Sequence, residues 1–247
     1  MVLDPRITDF ARAGKIRAGL AEAPIIATKD LTSGELRGVA VDLSRELAAR
    51  IGVELIQVRY PRPGAVMAGL KTNDWDIAFL GIDPRRAAEV EFSPPYLEVD
   101  RKYLVPANSP IRRPSDVDIA GIRIAVPRGD LVDIILSEKT QQAELVRADT
   151  VEGAFDLLQI GEADVCALPL PNLLQYSARL PGSRILDEPF GVNRVGMVVP
   201  KGQTAHLAYI TEFIESAKAS GFVQRAIERA GLRGVRVAPS ANTSTEG

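Results

Sequence analysis

Two adjacent arginines, Arg85 and Arg86, are candidates for holding an anion. They follow a short apolar run at residues 77–80, which predicts a buried strand, and Gly81 and Pro84 end that run. Ligands of open α/β sheets usually bind in loops beyond the carboxyl ends of strands, so we expect both arginines to lie at such an edge. A guanidinium offers paired planar donors that match a carboxylate, although most arginines are simply solvated. For the isolated motif both interpretations stay open.

The sequence around this pair, DIAFLGIDPRRAAEVEFSPPY, carries a longer pattern. It resembles the D-x-I-(loop)-x-R-x-x-x-V-x-F-S-x-P-Y signature of family 3 of the bacterial solute-binding proteins. These proteins have the periplasmic type II fold and feed amino acids and related solutes to ABC importers. In that register Arg86 falls on the family's carboxylate-binding arginine. Segments such as GKIRAGL, GIRIAVPRGD and PFGVNRVGMVVPKG agree with the family in the same order along nearly the whole chain.

The resemblance implies that the ligand contacts of the first lobe are Ala23, Pro24, Tyr60, Arg62, Phe79, Leu80, Gly81 and Arg86. Relatives often cover the ligand with an aromatic residue near residues 23–25, which are aliphatic here, so we expect an aliphatic lid. Pro63 takes the place of a stacking ring, so Tyr60 could cover the ligand from a shifted position and Arg62 could supply a second positive group. A loop tyrosine and a solvated arginine are the alternatives. Gly81 stands where relatives have a serine or threonine and leaves room for a bulkier ligand head.

In the second lobe the expected contacts are Gly129, Asp130, Leu131, Pro169 and Asn172. A strand that leads through a glycine turn into a helix points backbone N–H groups at an anion. Relatives have hydroxyl residues where this chain has Asp130 and Leu131. Asp130 either caps the helix or faces the ligand, where it would favour an amine or a hydroxyl. Pro169 stands where amino-acid binders carry an aspartate for the ligand ammonium, and it has neither charge nor N–H. Asn172 offers a neutral amide or is simply exposed.

Composition narrows the function further. With 247 residues, 46% hydrophobic and 25% charged, the chain is ordinary globular protein that can form one core or two lobes. Its net charge of -2 gives no basic footprint, so we expect no nucleic-acid partner. Cys166 is the one cysteine, and its apolar neighbours favour a core residue over a nucleophile. His206 is the one histidine, so we predict no zinc site and no cofactor.

Alternating strand and helix patterns predict an α/β fold whose parallel-rich sheets are flanked by helices. Leu43, Leu47 and Ile51 recur at helical spacing and predict a core-facing stripe, with Gly52 as a left-handed cap. The segment after residue 130 is expected to be a helix that bears Leu131, Ile134 and Ile135.

With the resemblance, this architecture is the two-lobed periplasmic binding protein type II fold, with two crossover strands forming a hinge. We place lobe one at residues 1–99 and 193–247, and lobe two at residues 100–192. Arg194 falls at the second crossover, where a structural ion pair is a more common role than a ligand contact.

The ends of the chain bear on its location. Residues 1–10 hold charges and no apolar run long enough for a signal-peptide core, and no stretch of about 18 apolar residues occurs anywhere. Family members are exported, so we expect a periplasmic protein whose leader is absent here, with a cytoplasmic paralogue as the alternative. The small polar tail from Pro239 is expected to be disordered.

The resemblance implies binding and closure rather than catalysis. A ligand carboxylate docks on Arg86, the second lobe closes, and the membrane subunits of an ABC importer recognise the closed monomer. Because the aspartate and the stacking ring are both missing, we expect a carboxylate ligand without an α-ammonium. The alternatives are an enzyme of the cyclohexadienyl or arogenate dehydratase type, for which only Asp83 and Asp130 are near as acids, and a sensory ligand-binding module.

Overall fold

The structure is a computed structural model that describes residues 4–23, 25–30 and 32–241. The chain divides into two compact units. Unit 1 comprises Met1–Glu98 and Arg194–Gly247, and unit 2 comprises Val99–Asn193. Among the described residues, no helix combines the length and apolar character that crossing a membrane requires. The end of the polar tail predicted to be disordered, residues 242–247, lies outside the described residues.

The strands are, in chain order, β1 Lys15–Ala21, β2 Thr28–Lys29, β3 Leu36–Arg37, β4 Glu54–Tyr60, β5 Ile77–Gly81, β6 Val90–Phe92, β7 Leu97–Val105, β8 Arg123–Pro127, β9 Glu144–Ala148, β10 Val165–Pro169, β11 Arg184–Ile185, β12 Gly191–Pro200 and β13 Val235–Val237. The helices are α1 Thr8–Ala13, α2 Val39–Ile51, α3 Pro63–Lys71, α4 Leu131–Lys139, α5 Val151–Gln159, α6 Leu170–Ser177, α7 Thr204–Ala219 and α8 Phe222–Arg229. Short 3-10 turns occupy Pro5–Ile7, Arg86–Ala88 and Pro114–Asp116.

The sheet of unit 1 has the strand order β4-β1-β5-β12. Its first three strands are parallel, and β12 runs antiparallel to β5. Helix α2 packs against it through Leu43, Leu47 and Ile51, all buried, which confirms the predicted stripe. Gly52 ends the helix at φ +78°, and its N–H bonds the carbonyls of the last turn. A left-handed residue suits glycine because it has no side chain to clash, so this predicted cap is also confirmed.

The sheet of unit 2 has the order β7-β10-β8-β9, with β10, β8 and β9 parallel and β7 antiparallel to β10. Helix α4 is the helix predicted after residue 130, and its Leu131, Ile134 and Ile135 are partly buried. Its buried residues are Val132, Asp133 and Leu136.

Asp133 is a buried acid on the inner face of α4. Its carboxylate accepts hydrogen bonds from the Gly129 N–H at 2.9 Å, the Ser137 hydroxyl at 3.2 Å and Arg147 Nε at 2.9 Å. These partners satisfy the charge of a buried acid and turn its face of the helix inward. A polar residue therefore sits where apolar spacing alone would not put it.

Both units repeat one arrangement of strands and helices. Apart from the hairpin β2–β3, unit 1 runs β1-α2-β4-α3-β5 and unit 2 runs β8-α4-β9-α5-β10. An identical ion pair ties the first strand to the third in each. The carboxylate of Asp76 accepts from Arg17 N at 2.8 Å and Arg17 Nη2 at 2.6 Å, and that of Asp164 accepts from Arg123 N at 2.9 Å and Arg123 Nη2 at 3.0 Å. Strands β5 and β10, which end at Gly81 and Pro169, are therefore equivalent.

The ion pair between Arg123 and Asp164 in unit 2 predicts that the stability of the protein depends on pH. Arg123 holds the pKa of Asp164 below its ordinary value of 3.8, chiefly through the side-chain hydrogen bonds. A carboxyl whose pKa is lower in the folded than in the unfolded state stabilises the protein above that ordinary value, and the contribution is lost as the pH falls through the folded pKa. Because both side chains are more than one third exposed, we expect Asp164→Asn to lower the urea midpoint at pH 7 by only roughly 0.2–0.4 M.

The difference between wild type and Asp164→Asn should narrow steadily between pH 5 and pH 2. Exposed Glu162 lies on the turn before β10, so Glu162→Gln serves as the control for removing one negative charge there. A midpoint difference that stays constant as the pH falls would show that the Asp164 carboxylate does not supply the stabilisation.

Candidate functional site

The loop after β5 separates the roles of the two adjacent arginines. Asp83 is 6% exposed, and its carboxylate accepts from Arg85 N at 2.8 Å, Nε at 3.1 Å and Nη2 at 2.9 Å. The hydrogen bonds of Arg85 lower the pKa of Asp83. Partly exposed Arg86 begins the next 3-10 turn, and its Nη1 donates to the Gly81 carbonyl at 2.9 Å. Arg85 therefore stabilises the loop, whereas the Arg86 guanidinium lies against the carboxyl end of β5.

The neighbouring candidates in unit 1 differ in exposure. The side chains of Phe79 and Leu80 are fully buried, and the Phe79 ring meets the Tyr96 ring edge-on at 5.9 Å. A ligand contact by either residue therefore stays a prediction. Ala23 is partly exposed and exchanges two hydrogen bonds of 2.9 Å with the Ala27 backbone. Pro24 lies outside the described residues, so the expected aliphatic lid stays a prediction.

Tyr60 and Arg62 both take part in the junction between β4 and α3. The Tyr60 hydroxyl lies 3.3 Å from Asp74 Oδ2, and an added Cβ on Gly69 would lie 2.0 Å from that hydroxyl. Burial, followed by the Asp74 charge, raises the pKa of Tyr60. Arg62 is exposed and occupies the N-cap position of α3. These contacts favour the loop tyrosine and the solvated arginine, and a ligand contact by either stays a prediction.

Carboxylates of the chain itself already accept hydrogen bonds from N–H groups at the start of α4. Asp130 Oδ1 accepts from the Val132 N–H at 3.1 Å, which confirms its role as the N-cap. The N–H of Gly129, which has φ +70°, is taken by Asp133. Leu131 is the first helical residue and is partly exposed. A helix N-terminus normally attracts anions, but two negative side chains here oppose a ligand carboxylate.

The end of β10 brings Pro169 beside an arginine that the sequence analysis did not single out. In the antiparallel register with β7, Pro169 lies opposite Arg101. Asn172 follows in the first turn of α6 and is partly exposed. Arg101 is 8% exposed, and its segment LEVDRKYLVPA also carries Glu98, Asp100 and Lys102. Since Arg101 is one of four charges in that segment, the sequence offers no signal that marks it as buried.

Arg194 has the structural role that the sequence favoured. Its Nε donates to Glu98 at 2.9 Å, and Arg236 Nη2 donates to the same carboxylate at 3.0 Å. Glu98 itself is 6% exposed, so two exposed guanidinium groups neutralise one buried acid. These two ion pairs join the second segment of unit 1, which holds Arg194 and Arg236, to Glu98 at the end of the first segment.

The residues considered for metal or nucleophilic chemistry lie in the core. Cys166 is fully buried in β10, where burial raises the pKa of its thiol, and this confirms it as a core residue. His206 is buried and stacks on Phe10 with 4.2 Å between ring centroids, and burial lowers its pKa. Within the described part of the chain, no three histidine, cysteine, aspartate or glutamate side chains form a group that could hold a metal ion.

A family comparison decides what this arrangement of strands, loops and arginines belongs to. The model of bacterial extracellular solute-binding proteins, family 3, matches residues 17–231. This chain is a member of that family. The solute-binding protein therefore belongs to the family that serves amino-acid ABC transporters, and its predicted type II periplasmic binding protein fold is confirmed.

Three relatives illustrate how widely the solute-binding protein shares this fold. The ABC transporter glutamine-binding protein GlnH of Bacillus subtilis (strain 168) is 26% identical over 208 residues, which cover 80% of this chain and 73% of that protein. A crystal structure of mutant ArgBP from T. maritima is 28% identical with a TM-score of 0.73, covering 92% of this chain and 100% of that one. An ancestral amino acid-binding protein, a precursor of cyclohexadienyl dehydratase, is 21% identical with a TM-score of 0.76, covering 92% and 99%. The last likeness concerns the fold alone.

Proposed function

We propose that this solute-binding protein captures a small carboxylate-bearing solute between its two units and closes over it. The bound form is then recognised by the membrane subunits of an ABC importer. The observation that carries the proposal is Arg86, which matches the family's carboxylate-binding arginine and is held by the Gly81 carbonyl at 2.9 Å. A guanidinium positioned in advance binds a carboxylate with paired, charge-assisted hydrogen bonds at little ordering cost.

The proposed ligand lacks an α-ammonium group. Pro169 stands where amino-acid binders have an aspartate, and its ring offers no negative charge. Asp130, the acid directly before α4, caps that helix by accepting a hydrogen bond from the Val132 N–H. An ammonium group buried without a carboxylate partner costs several kcal/mol by order of magnitude, which disfavours an ordinary amino acid.

Closure requires that the ligand bind the closed form more tightly than the open form. Arg86 in unit 1 would make the first contact, and residues 128–131 and 168–172 of unit 2 would add theirs on closure. We also propose that the protein acts as a monomer outside the cytoplasmic membrane, without a nucleic-acid partner.

A thermal-shift screen tests the ligand class. Each standard amino acid is paired with its deaminated counterpart, so that the two probes differ only at the α-position. An amine-free carboxylate at 100 times its dissociation constant should raise the melting temperature by about 5–10 °C, because it contributes about 2.7 kcal/mol. Stabilisation by ordinary amino acids, with no response to the deaminated acids, would refute the amine-free ligand.

Catalysis of the dehydratase type is not proposed, because it needs a general acid. Arg85 lowers the pKa of Asp83, which is the wrong direction for an acid at neutral pH, and Asp130 is a helix cap. Turnover of prephenate or arogenate by the purified protein would contradict this assignment.

A further inference from the structure

Arg101 is a buried cation whose hydrogen bonds are incomplete. It is 8% exposed, and its Nη2 donates to the Val192 carbonyl at 2.9 Å. The Nε and Nη1 groups are buried and have no hydrogen-bond partner. Arginine stays protonated in proteins, and buried donors are nearly always paired, because an unsatisfied one costs free energy. The two vacant donors therefore call for an acceptor that the chain itself does not provide.

The guanidinium of Arg101 is held by backbone rather than by a carboxylate. An added Cβ on Gly191 would lie 2.7 Å from Arg101 Nη2 and 3.0 Å from Nε, so the planar group rests against the bare glycine. Burial lowers the pKa of Arg101, and the charge of Asp130 acts in the opposite direction. The buried Nε and Nη1 groups of Arg101 have no hydrogen-bond partner despite that charge.

The position of Arg101 matches that of Arg86 in the repeated architecture. Strands β5 and β10 are equivalent, and the Arg86 guanidinium donates to Gly81 at the end of β5. Arg101 lies opposite Pro169 at the end of β10. Each unit thus presents one guanidinium at the carboxyl end of its third strand, the edge at which α/β sheets usually bind ligands.

We propose that Arg101 binds a second carboxylate of the ligand, so that the solute is a dicarboxylate. The inference rests on the proposed function, in which Arg86 binds the first carboxylate. A positive charge beside Pro169 repels an ammonium and attracts an anion, which reverses the charge preference expected of an amino-acid binder. The Nη1 group of Arg101 can donate a charge-assisted hydrogen bond to an oxygen of that carboxylate, whereas the Nε–Nη2 edge rests against Gly191.

Titration calorimetry on the whole protein tests the proposal with defined probes. The linear dicarboxylates from malonate to adipate are compared with monocarboxylates of the same chain length. At least one dicarboxylate should bind ten times more tightly than its matched monocarboxylate. Arg101→Gln should weaken that dicarboxylate by 10–100-fold and leave monocarboxylate affinity within about threefold of wild type. A purely structural role of Arg101 would weaken both series alike.

Gly191→Ala provides a second variant that keeps the Arg101 charge. The new methyl group would displace the guanidinium, so we expect the same loss of dicarboxylate preference. Arg86→Gln separates the two proposals, because it should weaken the binding of both the dicarboxylates and the monocarboxylates. If monocarboxylates bind through Arg86 but no dicarboxylate shows an advantage, only the second site is overturned. If neither series binds, the proposed function and this inference both fall.

Discussion

Arg86→Gln is expected to weaken binding of the carboxylate ligand by about 100-fold. The substitution removes a charged, paired hydrogen bond to the ligand, worth about 2–3 kcal/mol, and leaves a neutral amide of similar length. Titration calorimetry with the carboxylate identified in the thermal-shift screen measures the loss. The same variant should keep a far-ultraviolet circular dichroism spectrum like that of wild type, because Arg86 lies in a surface turn rather than in the core.

Arg85→Gln is the matched control, since it removes the same charge one residue away. Arg85 binds Asp83, so ligand affinity should stay within threefold of wild type. Its melting temperature should fall instead, because the buried Asp83 loses its partner. Equal losses of affinity in the two variants would mean that Arg86 acts only through the general charge of the loop.

Trp75→Ala is expected to cost about 3–5 kcal/mol of the free energy of unfolding. The indole is fully buried immediately before β5, and its Nε1 donates to the Val66 carbonyl at 2.9 Å. An added Cβ on Gly19 would lie 3.1 Å from the ring, which shows how closely β1 packs against it. Truncation therefore leaves a large cavity under the strand that carries the Arg86 loop.

Urea unfolding followed by circular dichroism measures this loss, since Trp75 is the chain's one tryptophan and its fluorescence is absent from the variants. Trp75→Phe should lower the free energy of unfolding by less than Trp75→Ala, because an aromatic ring still fills part of the space. Its main effect is that the Val66 carbonyl loses its hydrogen-bond donor. Ile160, which is 68% exposed, supplies the control, and Ile160→Ala should change stability by less than about 0.5 kcal/mol. Similar costs for Trp75→Ala and Ile160→Ala would contradict the packing argument.

Local patterns predicted the features whose causes are local. The stripe Leu43, Leu47 and Ile51 and the cap Gly52 follow from helical spacing and backbone freedom within α2 itself. Helical spacing does not predict that Asp133 of α4 is buried, because its charge is neutralised by Arg147 of β9. A sequence does not display which distant cation will neutralise an acid, so polar burial escapes a count of apolar residues.

The two arginines of the candidate site also differ in how well the sequence alone could predict their roles. Arg86 could be recognised because its whole loop is continuous in sequence and matches a family motif. Arg101 escaped notice because its setting joins β7, Pro169 of β10 and Gly191 of β12, segments separated by many residues. Strand alternation indicates which way a side chain points, but not whether the neighbouring strands supply a partner for it.

The insertion of unit 2 into the chain of unit 1 has a consequence for biosynthesis. The ribosome synthesises all of Val99–Asn193 before it reaches the residues of β12 that pair with β5. Unit 2 is continuous and can complete its core during translation, whereas the sheet of unit 1 lacks its fourth strand until the last fifth of the polypeptide emerges. Unit 1 therefore begins synthesis first and finishes folding last.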